Sequence, residues 1–266
     1  MRIWVKPVAY AVVAVAATGG LGVKSARANA ITINYFEIAE TDKDANKLAG
    51  GSFSNEVQSQ LGVNGLPVLN TAAYGCTNDC FSATGAPTDV LPDGEITYWS
   101  PSLNNGGPNG TSDVTYTGSA PVTLPFVVTS NFFAPNGTGS SDSTAFMAAT
   151  MTGTLDAPTT EKISFSIGAD DMAFVYLDGS EVCDLGGVHG YSNGTCVTPF
   201  NISAGSHSLE LFFVDVNTVQ SALGFNVTTQ GVAVTGSPVP EPASVPILGS
   251  ALLGMAACLR RQARRL

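Results

Sequence analysis

The sequence predicts an all-β protein, an antiparallel β-sandwich set between two terminal targeting segments. Three observations predict it. Apolar runs are short and are bounded by Gly, Ser, Thr, Asn and Pro, with 29 glycines and 15 prolines in 266 residues, the texture of strands joined by turns. Ile163, Phe165 and Ile167 alternate with Ser164 and Ser166, as in a strand with one buried face. The Asp178-Gly179 pair between two such runs is a hairpin signal.

In chain order the predicted strands are 31–36, 122–128, 145–153, 162–167, 173–177, 207–213 and 222–227. A run at 181–184 forms the second arm of the Asp178-Gly179 hairpin. Residues 52–61 read as a short helix, capped by Ser52 or Ser54, with Val57 and Leu61 four apart on one face. The glycine-rich stretch 102–118 has no apolar period and reads as a long loop. No internal repeat is visible. The body of about 200 residues suits a two-layer sandwich.

The termini set the compartment. Arg2 and Lys6 precede an apolar run from Val8 to Ala17, and small residues follow at Ala26, Ala28 and Ala30. This is the three-part order of a secretory signal peptide, so residues 1–30 are set outside the fold. A linker, 229–242, leads to an apolar segment at 243–259, short for a membrane helix, and a basic tail at 260–266 with Arg260, Arg261, Arg264 and Arg265. With Val239, Pro240, Glu241 and Pro242 in front, this tail resembles the PEP-CTERM sorting signal. The resemblance implies transient anchoring in the inner membrane, cleavage by an exosortase-type sorting protease, and delivery to the cell surface or extracellular matrix. A plain single-pass anchor is the alternative.

Between Ile31 and Pro242 stand three lysines, no arginine and all 21 acidic residues, a formal charge of −18. Such a body is not built for phosphate backbones, so nucleic acid is excluded as a partner. Its acidity favours divalent cations. Of five cysteines Cys258 falls in the tail, leaving Cys76, Cys80, Cys183 and Cys196. In an exported protein four cysteines point to disulfides with three connectivities, of which Cys76–Cys80 and Cys183–Cys196 are preferred. Cys-x-x-Cys knuckles for zinc are absent.

The stretch from Gly168 to Gly190, GADDMAFVYLDGSEVCDLGGVHG, carries the chemistry. Asp170 and Asp171 end one strand and precede another. Such a pair either caps a turn through loop amides or holds a hard cation. Asp184, Gly186, Gly187 and His189 either line the same site or make a structural corner, with the glycines at positive φ. Gly190-Tyr191-Ser192-Asn193-Gly194 satisfies Gly-x-Ser-x-Gly, with His189 or His207 as a base. The Thr195-to-Pro199 run after it cannot start the helix that a nucleophile elbow requires. Phosphate-loop and dinucleotide fingerprints are missing.

From Ile163 to Val227 the sequence resembles the fibro-slime domain, related to the protective-antigen-type sandwich of flocculins and other adhesins. The matching positions are Asp170, Asp171, Phe174, Tyr176, Asp178, Gly179, Asp184, Leu185, Gly186, Gly187 and His189, and weaker likeness extends the domain over 31–228. Where the family carries a third aspartate, this chain has Ala169 or Met172. The resemblance implies that Asp170 and Asp171, joined by a cis peptide, hold one calcium ion that coordinates vicinal sugar hydroxyls, with further oxygens from Asp215 and Asn217. A non-enzymatic, calcium-dependent carbohydrate-binding adhesion module, with an extracellular polysaccharide or other glycan as partner, is therefore expected. A purely structural matrix or filament component is the second reading, and a secreted hydrolase the third.

Overall fold

The computed structural model describes residues 30–42, 44–45, 55–70, 89–135, 137, 144–217 and 220–236, the side chains of 192–199 excepted. Eleven strands follow in order: β1 (Ala30–Ala39), β2 (Val114–Thr123), β3 (Phe126–Val128), β4 (Ala145–Ala157), β5 (Glu161–Asp170), β6 (Met172–Leu177), β7 (Ser180–Leu185), β8 (Ser192–Ile202), β9 (Gly205–Val214), β10 (Ala222–Val227) and β11 (Ala233–Gly236). One sheet runs β2-β1-β4-β9-β6-β7, with β11 beside β4, and the other runs β3-β10-β5-β8. Every strand pairing is antiparallel. The chain is the antiparallel β-sandwich that its alternation predicts.

The strands alternate because each sheet has an inner face. Ile31, Ile33, Met147, Met151, Val175, Leu211 and Phe213 from the larger sheet meet Ile163, Phe165, Ile167, Leu223 and Phe225 from the smaller one. The larger sheet is buried on its other face as well. Phe36, Ile38, Phe146, Phe174, Tyr176 and Phe212 lie under Val57, Leu66, Leu69, Ile96, Tyr98 and Trp99, from a layer with few regular elements. Burial on both faces accounts for the unbroken apolar run of β6, MAFVYL, all six residues of which are buried. Bridges from Val57 to Leu69 and from Val68 to Glu95 knit the layer together, and the Gln60–Ser180 bridge and the Trp99 indole N–H donating to the Phe213 carbonyl at 2.7 Å tie it to the sheet.

Several expectations need correction. The described part of 52–61 is no helix: Gln58 N–H donates to the Val68 carbonyl and Glu181 N–H to the Ser59 carbonyl. Pairing across the chain overrides a weak local preference there. The end of the expected loop 102–118 forms β2, which finds its partner in β1. The expected strand 122–128 is interrupted at Leu124-Pro125, where proline has no N–H to give a ladder, and divides into β2 and β3, which belong to different sheets. Strands β8 and β11 carried no usable alternation. The hairpin at Asp178-Gly179 is present, with φ of 51° and 74°, the pair of positive values that a type I′ turn needs.

Cys183 is disulfide-bonded. The Cys196 side chain, Cys76, Cys80, residues 1–29 and everything from Ser237 onward, including Val239 to Pro242, lie outside the described residues. Among those described, no helix is long and apolar enough to cross a membrane.

Phe174→Ala tests whether the irregular layer makes a true core. Phe174 is fully buried there, so the substitution should cost about 3–5 kcal/mol in denaturant unfolding, whereas the exposed Val127→Ala should stay within about 0.5 kcal/mol. A small loss for Phe174→Ala would mean that the layer is loosely attached.

Candidate metal centre

Strand β5 belongs to the smaller sheet and β6 to the larger. Only Asp171 separates them, so the chain crosses between the layers at Asp170-Asp171. The bond joining the two aspartates is cis, as the resemblance implies. Both side chains are buried, Asp170 at 3% and Asp171 at 0% exposure.

The strand register brings a third carboxylate to the crossing. Met172 pairs with Val214 in the antiparallel β6–β9 ladder, which places Asp171 and Asp215 side by side just beyond the paired ends. Asp215 is also fully buried. Asp171 Oδ2 accepts a hydrogen bond from the Val216 N–H at 2.9 Å, whereas Asp171 Oδ1 is buried with no hydrogen-bond partner. The Asn217 N–H donates to Asp215 Oδ1 at 3.2 Å, leaving the half-buried Asn217 side chain on the same loop. Asp170, Asp171, Asp215 and Asn217, predicted to work together, therefore share one end of the sandwich.

Burial pushes the Asp171 carboxyl up to about 7; hydrogen bonds from Val216, Asp215 and His189 pull it down, and the negative charge of Asp170 adds to the rise. Three buried acids gathered at one strand crossing would suit a divalent ion. The donor set is all oxygen, which selects calcium, magnesium or manganese over zinc or copper. Asp171 Oδ1, buried and unbonded, would gain from an ion. These three carboxylates do not all come within 4.8 Å of one another, so a calcium ion here would draw further oxygens from Asn217 and from loop carbonyls.

The Asp184 corner is built differently. Asp184 Oδ2 accepts the Val57 N–H at 2.9 Å, which anchors the irregular layer to β7. Glu56 lies beside it, 1% exposed, with neither carboxylate oxygen hydrogen-bonded. Burial first, and the Asp184 charge second, raise Glu56 to about 8, and burial raises Asp184 to about 7. Of the two expected positive-φ glycines only Gly187 has one, at 87°. Gly186 serves instead by lacking a Cβ, which would sit 2.3 Å from the Glu56 Cβ. His189 reaches the metal centre through its backbone, which bonds Asp171, and its ring Nδ1 lies 3.1 Å from the Gly190 carbonyl. Sequence reasoning missed Glu56, which no motif marks.

His207, weighed as a base, pairs with Asp178 at 2.6 Å at the hairpin end of β6, the opposite end from Asp171. Ser192 opens β8, so a strand stands where a nucleophile elbow needs a helix.

No family model matches the chain, and no curated protein matches it. Similar solved structures include the PA14 domain of an antifreeze protein, 11% identical over 85% of this chain and 100% of that one, with a TM-score of 0.32. The Epithelial Adhesin 6 A domain from Candida glabrata, in complex with Galb1-3GlcNAc, is 11% identical over 82% and 84%, with a TM-score of 0.34. A family 35 carbohydrate binding module from an environmental isolate is 15% identical over 42% and 93%, at 0.28. At such TM-scores the likeness carries no functional inference.

The Glu56–Asp184 pair gives a pH test. Glu56 has a folded value of about 8 against an ordinary 4.5, so between these values the folded state holds a proton that the unfolded state has released. Stability then falls as pH rises through that window. In chelator, the wild-type Tm should drop between about pH 5 and about pH 8, and Glu56→Gln should flatten the drop. An unchanged slope in the variant would show that Glu56 is not the group responsible.

Proposed function

We propose that this protein is a non-enzymatic module of the cell surface or extracellular matrix that binds carbohydrate through a calcium ion held at the sheet crossing. The observation that carries the reading is the trio Asp170, Asp171 and Asp215, all buried, with Asp171 Oδ1 unsatisfied. Among the described residues the one lysine or arginine is Lys162, exposed on β5. A bound cation would neutralise the trio.

The crossing supplies Asp170 and Asp171 from one rigid strand junction, and the loop after β9 supplies Asp215 and Asn217. Ligands from a strand end and a loop suit calcium, which takes six to eight oxygens in flexible geometry. When bound, calcium offers remaining coordination positions to vicinal sugar hydroxyls. The amides of Val216 and His189 orient Asp171, as supporting hydrogen bonds around a metal commonly do. The carbohydrate assignment rests on this site together with the fibro-slime resemblance of 163–227.

Surface delivery is the reading of the two terminal signals, with the inner membrane and an exosortase-type protease as transient partners. The hydrolase reading loses its motif, because Ser192 begins a strand. The missing arginines between 31 and 242 argue against phosphate ligands.

A glycan array probed with and without EDTA tests the proposal. Binding should need calcium, and Asp170→Ala or Asp171→Ala should weaken it at least tenfold, as expected for losing a ligand of the ion. Glycan binding indifferent to EDTA and to both substitutions would contradict it. Calcium that raises Tm with no saturable glycan binding would assign the protein to the structural matrix reading.

A further inference from the structure

A second group of acids gathers at the same end of the larger sheet. Asp42 follows β1, Asp113 precedes β2, and Asp89 comes from the irregular layer; one carboxylate oxygen of each lies within 4.8 Å of the others. The ends of β1 and β2 are held by the Ala39 N–H donating to the Asp113 carbonyl at 2.9 Å. Asp89 is 2% exposed and Asp42 5%.

Asp42 spends only half of its carboxylate on the protein. Its Oδ1 accepts the N–H groups of Asp44 and Ala45, each at 2.6 Å, while its Oδ2 is buried with no hydrogen-bond partner. Asp113 Oδ1 is likewise buried and unbonded. Asp89 is clamped instead: Asn104 Nδ2 donates to its Oδ1 at 2.5 Å and to Thr97 Oγ1 at 3.1 Å. Asn104 Oδ1 in turn accepts the Asp113 N–H at 3.1 Å. The chain passes Asp89 at Gly106, where a Cβ would stand 2.2 Å from Asp89 Oδ1, so the residue is small where the carboxylate needs room.

We infer that Asp42, Asp89 and Asp113 form a second calcium site, separate from the one at Asp170-Asp171. Two oxygens on one calcium ion stand at most about 5 Å apart, which the trio satisfies, and carboxylates alone select a hard cation. A route in from solvent exists, because Asp113 also lines a surface cleft of about 320 Å³ with Glu37, Glu40 and Thr115. The two extra acids that line it draw cations toward it.

An ion there would cross-link three distant chain segments, after β1, before β2 and within the layer over the outer core. Asp89 and Trp99 belong to that layer, and Trp99 bonds the Phe213 carbonyl, two residues before Asp215. The second ion would brace the wall beside the proposed glycan site without touching it.

Calcium stoichiometry of the purified protein, by equilibrium dialysis, tests the inference. Two ions per wild-type chain are expected, and one in each of two double variants, Asp89→Asn with Asp113→Asn, and Asp170→Asn with Asp171→Asn. One ion in the wild type, lost only with Asp170→Asn and Asp171→Asn, overturns this site and leaves the first. One ion lost only with Asp89→Asn and Asp113→Asn supports this site and overturns the first, and no ion overturns both. Should the Asp89 and Asp113 variant fail to fold, terbium luminescence decides, since the fully buried Tyr98 stands among these acids. Emission excited through tyrosine that persists in the Asp170 and Asp171 variant supports the site, and emission lost there overturns it.

Discussion

Burying a carboxylate costs several kcal/mol unless something positive or a set of donors stands beside it, and the described residues hold almost nothing positive to set there. Asp42, Asp44, Glu56, Asp89, Glu95, Asp170, Asp171, Asp184 and Asp215 are all buried, against one exposed lysine among the described residues. Some of these acids are satisfied by the protein. Glu95 accepts the Asn64 N–H at 2.7 Å and also bonds the Asn64 side-chain amide, whereas Asp184 accepts Val57 with one oxygen and leaves the other buried and unbonded. Others are crowded against each other, and that crowding is where a divalent cation has most to contribute.

The architecture explains why the crowding falls where it does. Three features meet at one end of the larger sheet: the crossing from β5 to β6, the exit of β9, and the turn after β1. Because β1, β4, β9 and β6 are neighbours in one sheet, their ends lie about 5 Å apart per strand. The two acidic groups therefore lie at the same end of the sheet, built from different loops. The irregular layer joins them mechanically, since it carries Asp89 and donates the Trp99 hydrogen bond to β9.

Much of this was legible in the sequence, and the parts that were not have a common cause. The alternation at 163–167, the Asp178-Gly179 turn and the aspartate pair at a strand end are local signals, and each stands in the structure where the sequence puts it. Asp215 was reachable because the strand before it was recognised. Asp42, Asp89 and Asp113 lie far apart in sequence with no shared motif, and only the β1–β2 pairing and the layer bring them together. The same is true of Glu56, whose partner Asp184 comes from another part of the chain. Strand β8 was hidden because its residues, SNGTCVTPFNI, read locally as a turn. The supposed helix at 52–61 failed for the opposite reason, a local pattern overruled by pairing with the β6–β7 hairpin.

A crystal structure grown with calcium, refined against anomalous data, tests the central claim most directly. The account predicts an anomalous peak at the sheet crossing, with oxygens of Asp170 and Asp171 at about 2.3–2.6 Å. A crossing in which Asp171 Oδ1 is met only by water or by a shared proton, at millimolar calcium, would contradict it.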